Sequence, residues 1–376
     1  MTAPPALVHV VWGAGFGGLE RLVSDLVRVQ AAGGMRVSVL ACGNAEGDEN
    51  LHRYVVPGVE VTGAGLRSGF DLRPSAIRAM AGAMAKADVV HLHAFVPSIA
   101  IAARRTGRPL VFTEHGLLGL ERKRSLLEQV KQALKGRFLR RRVSLVACVS
   151  HWVADVVKAK YRVSEERVHC IPNGVDLAGV RATRSREEVL AAEGVDPSAW
   201  VMTVTARLAR MKRLDRLLEA AARSGDSGRD WVLLIAGQGP LENALRDQCA
   251  ALGLDGHVRF LGYRQDVWDL VAAADLVPVP SGLEPFGLVV VEAMALGRPV
   301  VAFADSGGPA EIVEQVGGGC LVADVQELAA VISEGRQAGA SSRLRSLDQA
   351  RFQALFDLRR TAAEYARLYA TVLQGA

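Results

Sequence analysis

The sequence predicts an α/β protein made of two doubly wound domains, each a parallel sheet covered by helices on both faces. Three observations predict it. Short apolar runs alternate with helical stretches from end to end, which is the pattern of parallel strands joined by crossover helices. The alternation pauses once, over residues 172–200, and then starts again. The length, 376 residues, suits two domains at roughly 100–200 residues each. Half of the chain is apolar and 23% is Asp, Glu, Lys or Arg, so there is ample material to bury and disorder throughout is excluded.

In the first half, Leu7–Trp12, Arg36–Ala41, Asp88–Leu92, Leu110–Thr113 and Ser144–Val149 read as buried strands, with helices such as Leu19–Ala31 and Ser75–Ala85 between them. Residues 172–200 carry two prolines, three glycines and several charges, which marks an inter-domain crossing with a short helix. The second series has strands at Trp200–Thr205, Trp231–Ala236, His257–Leu261, Leu276–Pro280 and Pro299–Ala304. Its helices include Arg213–Arg223, Pro240–Leu252, Leu288–Leu296 and Val325–Glu334, and a final helix, Leu358–Leu373, has no strand after it. The expected division is a first domain over 1–175, a linker over 176–200, a second domain over 201–355 and a returning helix over 356–376. Two such domains predict a ligand cleft between the carboxyl ends of two parallel sheets.

The five cysteines are scattered, without a CxxC pair, which fits a reducing compartment better than a disulfide framework or a zinc site. No basic residue precedes the first apolar run, so no signal peptide is expected. The longest candidate for a membrane span, Phe286 to Ala304, is broken by Glu292 and Arg298. Residues 121–142 hold nine basic and two acidic residues, a local charge of 9 − 2 = +7 against +5 for the whole chain. The rest of the chain is thus slightly acidic. Leu126, Leu127, Val130, Leu134, Phe138 and Leu139 recur at helical spacing there. Arg122, Lys123, Arg124, Lys131, Lys135, Arg140, Arg141 and Arg142 become candidates for an anionic membrane or acceptor surface. The segment lacks aromatic interleaving, so nucleic acid is not an expected partner. The resulting location is the cytoplasm, with that helix suited to the inner face of the cytoplasmic membrane.

Gly13, Gly15 and Gly18 match GxGxxG between a strand and a helix, which would suit NAD or FAD. The ribose-binding carboxylate that should close the second strand is missing: the strand ends Ala41-Cys42-Gly43-Asn44, and Glu46 follows in a loop. Gly17 and Gly18 sit at a helix start, where bare backbone amides can face a phosphate.

The stretch 278–312 is the most informative. Glu284 and Glu292 are separated by seven residues, with Pro285-Phe286-Gly287 leading into a helix near Leu288. A loop glutamate can accept hydrogen bonds from sugar hydroxyls. The amides of Phe286, Gly287 and Leu288 can meet a phosphate, and Glu292 can hold a ribose. This pattern resembles the EX7E signature of retaining GT-B glycosyltransferases. Thr205-Ala206-Arg207-Leu208 with Lys212 is similar to that family's GRL…K element. Gly237-Gln238-Gly239-Pro240 is similar to its G-x-G-P turn, with Gly239 on the donor side. Phe260-Leu261-Gly262, Ile171-Pro172-Asn173-Gly174-Val175-Asp176, Gly17-Gly18-Leu19-Glu20 and Thr113-Glu114-His115-Gly116 match further motifs in order.

The resemblance implies two Rossmann-like domains facing across a cleft and a last helix crossing back to the first. It implies Arg207 and Lys212 as the clamp on the donor diphosphate, Glu284 and His115 on the sugar, and Gly17 and Gly18 over the diphosphate. No nucleophilic side chain is required. The co-substrate would be a UDP- or GDP-sugar and the acceptor a saccharide or lipid-linked saccharide of the cell envelope. No cofactor or metal is expected, since no convincing DxD is present and the Arg/Lys clamp takes the place of Mg²⁺. Two departures stand out: Ala206 replaces a usual glycine, and Arg213 stands where glycine is common.

Other readings stay open at this point. A nucleotide-sugar epimerase of similar fold and an oxidoreductase using GxGxxG are the rivals. His91 and His93 lie on one face of a strand and could pair on a metal, but no third ligand is visible by spacing. Asn173 reads as a hinge and Glu311 as a first-turn helix carboxylate. The five tryptophans read as core or rim residues.

Overall fold

The structure is a computed structural model that describes residues 4–13, 18–43, 56–116, 126–225 and 230–375. It separates into two compact units, residues 1–175 with 355–376, and residues 176–354.

The first unit runs β1 (Ala6–Val11), α1 (Gly18–Ala32), β2 (Arg36–Gly43), β3 (Glu60–Leu66), α2 (Pro74–Ala85), β4 (Val89–Leu92), α3 (Pro97–Arg104), β5 (Leu110–Glu114), α4 (Leu126–Arg142), β6 (Leu145–Cys148), α5 (His151–Tyr161) and β7 (Val168–Cys170). Its sheet has the order β3-β2-β1-β4-β5-β6-β7, and every pairing is parallel. The central strands are buried along their length, which is why they read as unbroken apolar runs. Strand order reverses between β1 and β4, so the carboxyl ends of these two strands frame a switch point. The expectations omitted the two edge strands. β3 carries two glycines and is half exposed, and β7 has only three residues.

The second unit holds α6 (Arg186–Ala192), β8 (Trp200–Thr205), α7 (Leu214–Arg223), β9 (Trp231–Ala236), α8 (Glu242–Ala251), β10 (Val258–Gly262), α9 (Val267–Ala272) and β11 (Val277–Val279). It continues with α10 (Leu288–Ala295), β12 (Val300–Phe303), α11 (Gly308–Val316), β13 (Gly317–Val322), α12 (Val325–Ala338) and β14 (Arg345–Leu347), then α13 (Gln349–Phe356) at its edge. The strands order as β10-β9-β8 and β11-β12-β13-β14. A parallel bridge from Met202 to Leu276 sets β8 beside β11, which makes their carboxyl ends this unit's switch point. Among the described strands of this unit, only β14 runs antiparallel.

Residues 176–200 are not a linker. Val189 and Leu190 of α6 are wholly buried with Val201, Leu234 and Leu270. The Thr183 amide donates to Asp269 Oδ1 at 2.6 Å, and Ser185 with Glu188 forms a capping box on α6. The prolines and glycines of this stretch punctuate a packed segment of the second unit.

The last helix, α14 (Leu358–Gln374), belongs to the first unit. Its Tyr365, Leu368, Tyr369 and Val372 share one core with Leu7, Val39 and Val111. The Asn173–Gly174 turn is pinned beneath its start. The Leu358 amide donates to Val175 O at 3.0 Å, Thr361 Oγ1 donates to Pro172 O at 2.9 Å, and a Cβ at Gly174 would lie 2.6 Å from Leu358 Cα.

Candidate active site

The second unit's switch point gathers charge. Lys212 lies just after β8 and Glu284 just after β11, and Lys212 Nζ donates to Glu284 Oε1 at 2.7 Å. Both side chains are largely buried. The Glu284 backbone is fixed from both sides: its amide donates to Ser306 O at 2.7 Å, and its carbonyl accepts from Gly308 N at 2.8 Å. Its second oxygen, Oε2, is buried and accepts no hydrogen bond. Lys212, Glu284, Thr205, Ala206, Pro280 and Val289 line one narrow crevice. Arg207 flanks it, exposed and without an ion pair among the described residues.

The backbone around this pair is strained. Three described non-glycine residues have positive φ, and two of them adjoin the pair: Arg213, after Lys212, at 47° and Leu283, before Glu284, at 50°. Such a conformation costs on the order of 1–3 kcal/mol per residue and persists only where surroundings impose it. Arg213 therefore occupies a left-handed site that glycine would fill without cost. The two loops are tied by Gly282 N donating to Met211 O at 2.9 Å. Arg216 braces them from below. Its Nε donates to Pro280 O at 2.8 Å, its Nη2 to Ser281 O at 2.9 Å, and its guanidinium stacks on Phe303 at 3.6 Å.

Gly239 and its partner Gly237 have a clear steric reason. A Cβ at Gly237 would sit 1.8 Å from Ala206 O, and one at Gly239 2.3 Å from Leu208 O. The turn lies directly against the 206–208 backbone, held by Leu208 N donating to Gln238 O at 2.9 Å. Gly287, at φ 98°, caps the start of α10, and a Cβ there would press on Pro309 at 2.9 Å. The Phe286 side chain is buried, so only its backbone is placed to serve a ligand. Leu288 opens α10, whose first amides have no acceptor within the helix. Glu292 accepts from Trp268 Nε1 at 3.2 Å, a partner that sequence spacing did not single out.

The first unit's switch point gathers uncharged rings. His9 on β1, His91 on β4, His93 beyond it and His115 beyond β5 lie on one face beneath α14. Gln30 Oε1 meets His9 Nε2 at 2.8 Å, His9 Nδ1 meets His93 Nε2 at 2.8 Å, and His93 Nδ1 meets His115 Nε2 at 2.9 Å. His91 meets Tyr369 OH at 2.8 Å and Thr113 Oγ1 at 2.7 Å. Burial lowers all four histidines, His9 to about 4 and His115 to about 3, the Lys135 charge adding to the latter. His9 is the neighbour that the sequence reading of His91 and His93 lacked. The three could surround a metal ion, yet every one of their ring nitrogens is engaged in the hydrogen bonds just described.

The basic segment divides. Arg122, Lys123, Arg124 and Gly17 lie outside the described residues; Gly18 opens α1. Arg140, Arg141 and Arg142 are exposed and Lys131 is half-buried. Lys135 is a correction, because it points inward. It pairs with buried Glu114 and lies 5.2 Å from the ring centroids of Phe112 and Tyr161, a paired cation in the fold rather than a surface charge. The apolar face also divides: Phe138 and Leu139 are buried, while Leu126, Val130 and Leu134 are exposed.

Residues 16–178 match the model "Glycosyltransferase Family 4", and residues 185–334 match "Glycosyl transferases group 1". A D-inositol 3-phosphate glycosyltransferase of Mycobacterium sp. (strain KMS) is 30% identical over 331 residues, 80% of this chain and 73% of that protein. The chain belongs to the glycosyltransferase family. The fold is the GT-B fold expected from the sequence. Anabaena HepE, solved in complex with UDP and glucose, has a TM-score of 0.80 at 25% identity, over 98% of this chain and 100% of that one. WaaG, a glycosyltransferase involved in lipopolysaccharide biosynthesis, shares the fold at a TM-score of 0.67 and 22% identity, over 97% of this chain and 95% of that one. The chain spans about half the length of the first curated relatives it matches: 41% of the D-inositol 3-phosphate glycosyltransferase from Saccharomonospora viridis (38% identical over 44% of this chain) and 55% of that from Salinispora tropica (33% identical over 66%).

Proposed function

We propose that this glycosyltransferase transfers a hexose-type sugar from a UDP- or GDP-sugar to a saccharide or lipid-linked acceptor of the cell envelope, with retention and without a metal. The observation that carries the reading is the orphaned oxygen of Glu284 beside Lys212. A buried acceptor without a donor costs about 1–3 kcal/mol, and a sugar hydroxyl entering the crevice would satisfy it. Lys212, already desolvated, and Arg207, held at the mouth, supply positive charge where a nucleotide diphosphate departs. Their attraction grows as the anomeric bond breaks, which is the requirement for catalysis. The start of α10 adds its amides for a phosphate, and Glu292, held by Trp268, offers its carboxylate to a ribose. Retention follows from the EX7E pattern: the donor's own phosphate oxygen takes the acceptor proton and no side chain becomes glycosylated. The HepE complexes with UDP and UDP-glucose support a uridine donor.

The test is thermal shift against UDP, GDP, ADP and their sugars, with and without EDTA. A ligand at 100 times its Kd should add roughly 2.7 kcal/mol, unchanged by EDTA. No response to any nucleotide, or a response abolished by EDTA, sinks the reading. An inverted product anomer, read by NMR, would overturn retention.

The acceptor side rests on α4. Its exposed Leu126, Val130 and Leu134 recur every four residues beside exposed basic residues at its end, which suits an anionic lipid surface carrying the acceptor. Neutralising Arg140, Arg141 and Arg142 should weaken sedimentation with anionic vesicles in a salt-dependent way. Unchanged binding would remove the membrane.

A further inference from the structure

We propose that Gln30, His9 and His93 are positioning residues that fix His115 as its Nε2–H tautomer, leaving Nδ1 as a lone pair that accepts a hydrogen bond from a substrate hydroxyl. The substrate half of this statement rests on the function proposed above; the tautomer half does not.

The direction of the chain follows from its first member. Gln30 Oε1 can only accept, so His9 Nε2 carries the proton that it receives at 2.8 Å. His9 Nδ1 is then a lone pair, and it accepts from His93 Nε2–H at 2.8 Å. His93 Nδ1 accepts in turn from His115 Nε2–H at 2.9 Å. At its other end the Gln30 amide reaches Tyr369, Nε2 donating to Tyr369 OH at 3.4 Å. From there a second arm runs consistently: Tyr369 O–H donates to His91 Nδ1 at 2.8 Å, and His91 Nε2–H to Thr113 Oγ1 at 2.7 Å. Thr113 meets Tyr365 OH at 3.0 Å. With Gln30 Oε1 toward His9, every link is satisfied by this one direction of donation, and reversing a single link alone leaves two donors or two lone pairs face to face. Neutral rings are required for this logic, and burial keeps them neutral. Lys135, whose charge bears on His115, is paired with Glu114.

His115 Nδ1 has no partner among the described residues. A fixed lone pair there discriminates. It welcomes an O–H and repels a phosphate oxygen, which is also an acceptor. The opposite tautomer would do the reverse. The histidine ladder thus assigns His115 to a sugar hydroxyl and away from the diphosphate.

The experiment uses full-length protein labelled with 15N-histidine and long-range 1H–15N correlation. The His115 signals are assigned by their loss in His115→Gln. The expected result is an unprotonated Nδ1 and a protonated Nε2 in the wild type. In Gln30→Leu, where the anchor is gone, both nitrogens should move toward the average of the two tautomers. A protonated Nδ1 in the wild type overturns the proposal, and so does an unchanged tautomer in folded Gln30→Leu. The wild-type spectrum decides even if that variant does not fold. For the hydroxyl, donors carrying fluorine in place of single hydroxyls are compared. One should lose at least tenfold in kcat/KM with the wild type and little further with His115→Gln. Equal losses in both proteins would overturn the hydroxyl partner. Absence of any sugar transfer would refute the functional reading while the tautomer remains measurable.

Discussion

Both units place their chemistry at the same topological position, yet the two clusters are opposites. Where β1 meets β4, neutral rings hold one another by hydrogen bonds under two tyrosines, and only His115 Nδ1 is left open among their described ring nitrogens. Where β8 meets β11, a cation and a carboxylate pair in a tight crevice, one carboxylate oxygen is left over, and two neighbouring residues hold strained backbone. The difference teaches what each can do. A neutral network orients without attracting charge. A charged site with an unmet acceptor suits the ligand proposed above, which brings both hydroxyls and negative charge. Parallel topology supplies the location, and side chains decide the role.

The comparison breaks first if the charged cluster is dispensable. Lys212→Met leaves Glu284 buried without its counter-ion, and Arg207→Ala removes a charge that has no ion-pair partner among the described residues. Each should lower kcat by about 10²–10³-fold, and Arg207→Ala should do so without lowering Tm. Wild-type turnover of Arg207→Ala at saturating donor would end the clamp assignment. The next largest effect is steric. Gly237→Ala forces a methyl group into Ala206 O and should cost about 2–3 kcal/mol, a Tm loss of roughly 5–10 °C in calorimetry. A loss under about 2 °C would show that the 206–208 backbone yields freely.

The neutral cluster makes a pH prediction. Burial lowers His9, His91, His93 and His115 in the folded chain, while unfolded histidine titrates near 6.5. As pH falls through 6.5 toward about 4, the value for folded His9, the unfolded state binds protons that the folded state refuses. Stability is therefore full above this window and lost below it. Asp266, lowered by its hydrogen bond from Arg264, and Glu166, Glu187 and Glu334, also lowered by hydrogen bonds, act in the same direction once pH reaches the ordinary carboxyl range near about 4, so the upper part of the window, above about pH 5, isolates the histidines. A Tm that stays level from pH 7 to pH 5 would contradict the buried ladder. The smallest effect is Arg213→Gly, which relieves a left-handed residue and should stabilise by about 1 kcal/mol. A simultaneous fall in kcat would mean that the strain itself positions Lys212.

The alternation of apolar runs and helices made most of the sheet legible, and the meeting of Glu284 with Lys212 could be anticipated because both follow strands whose carboxyl ends lie side by side. What escaped has physical reasons. β13 begins Gly317-Gly318-Gly319 and reads as a loop; it is a strand because a Cβ at Gly319 would lie 1.9 Å from Val300 O on β12, so glycine is what allows the close pairing. The segment 176–200 looks like a linker by composition, and only its contacts show Val189 and Leu190 inside. Lys135 counts as one more charge in a basic run, although helix geometry turns it onto Glu114. The histidine ladder joins residues from β1, β4 and β5 to Gln30 of α1, separations that no local pattern announces.

The split of the first unit, residues 1–175 with 355–376, sets a timetable on the ribosome. Its strands emerge first, but Tyr365 and Tyr369 arrive only after the whole second unit has been made. At about 5–20 residues per second, the half-built sheet waits roughly 10–35 s, with one face of its core and its histidines uncovered. The portion synthesised later is the first that can close. For that interval a nascent chain is a closed second unit joined to an open, sticky first one, and this is the state in which a chaperone would meet it.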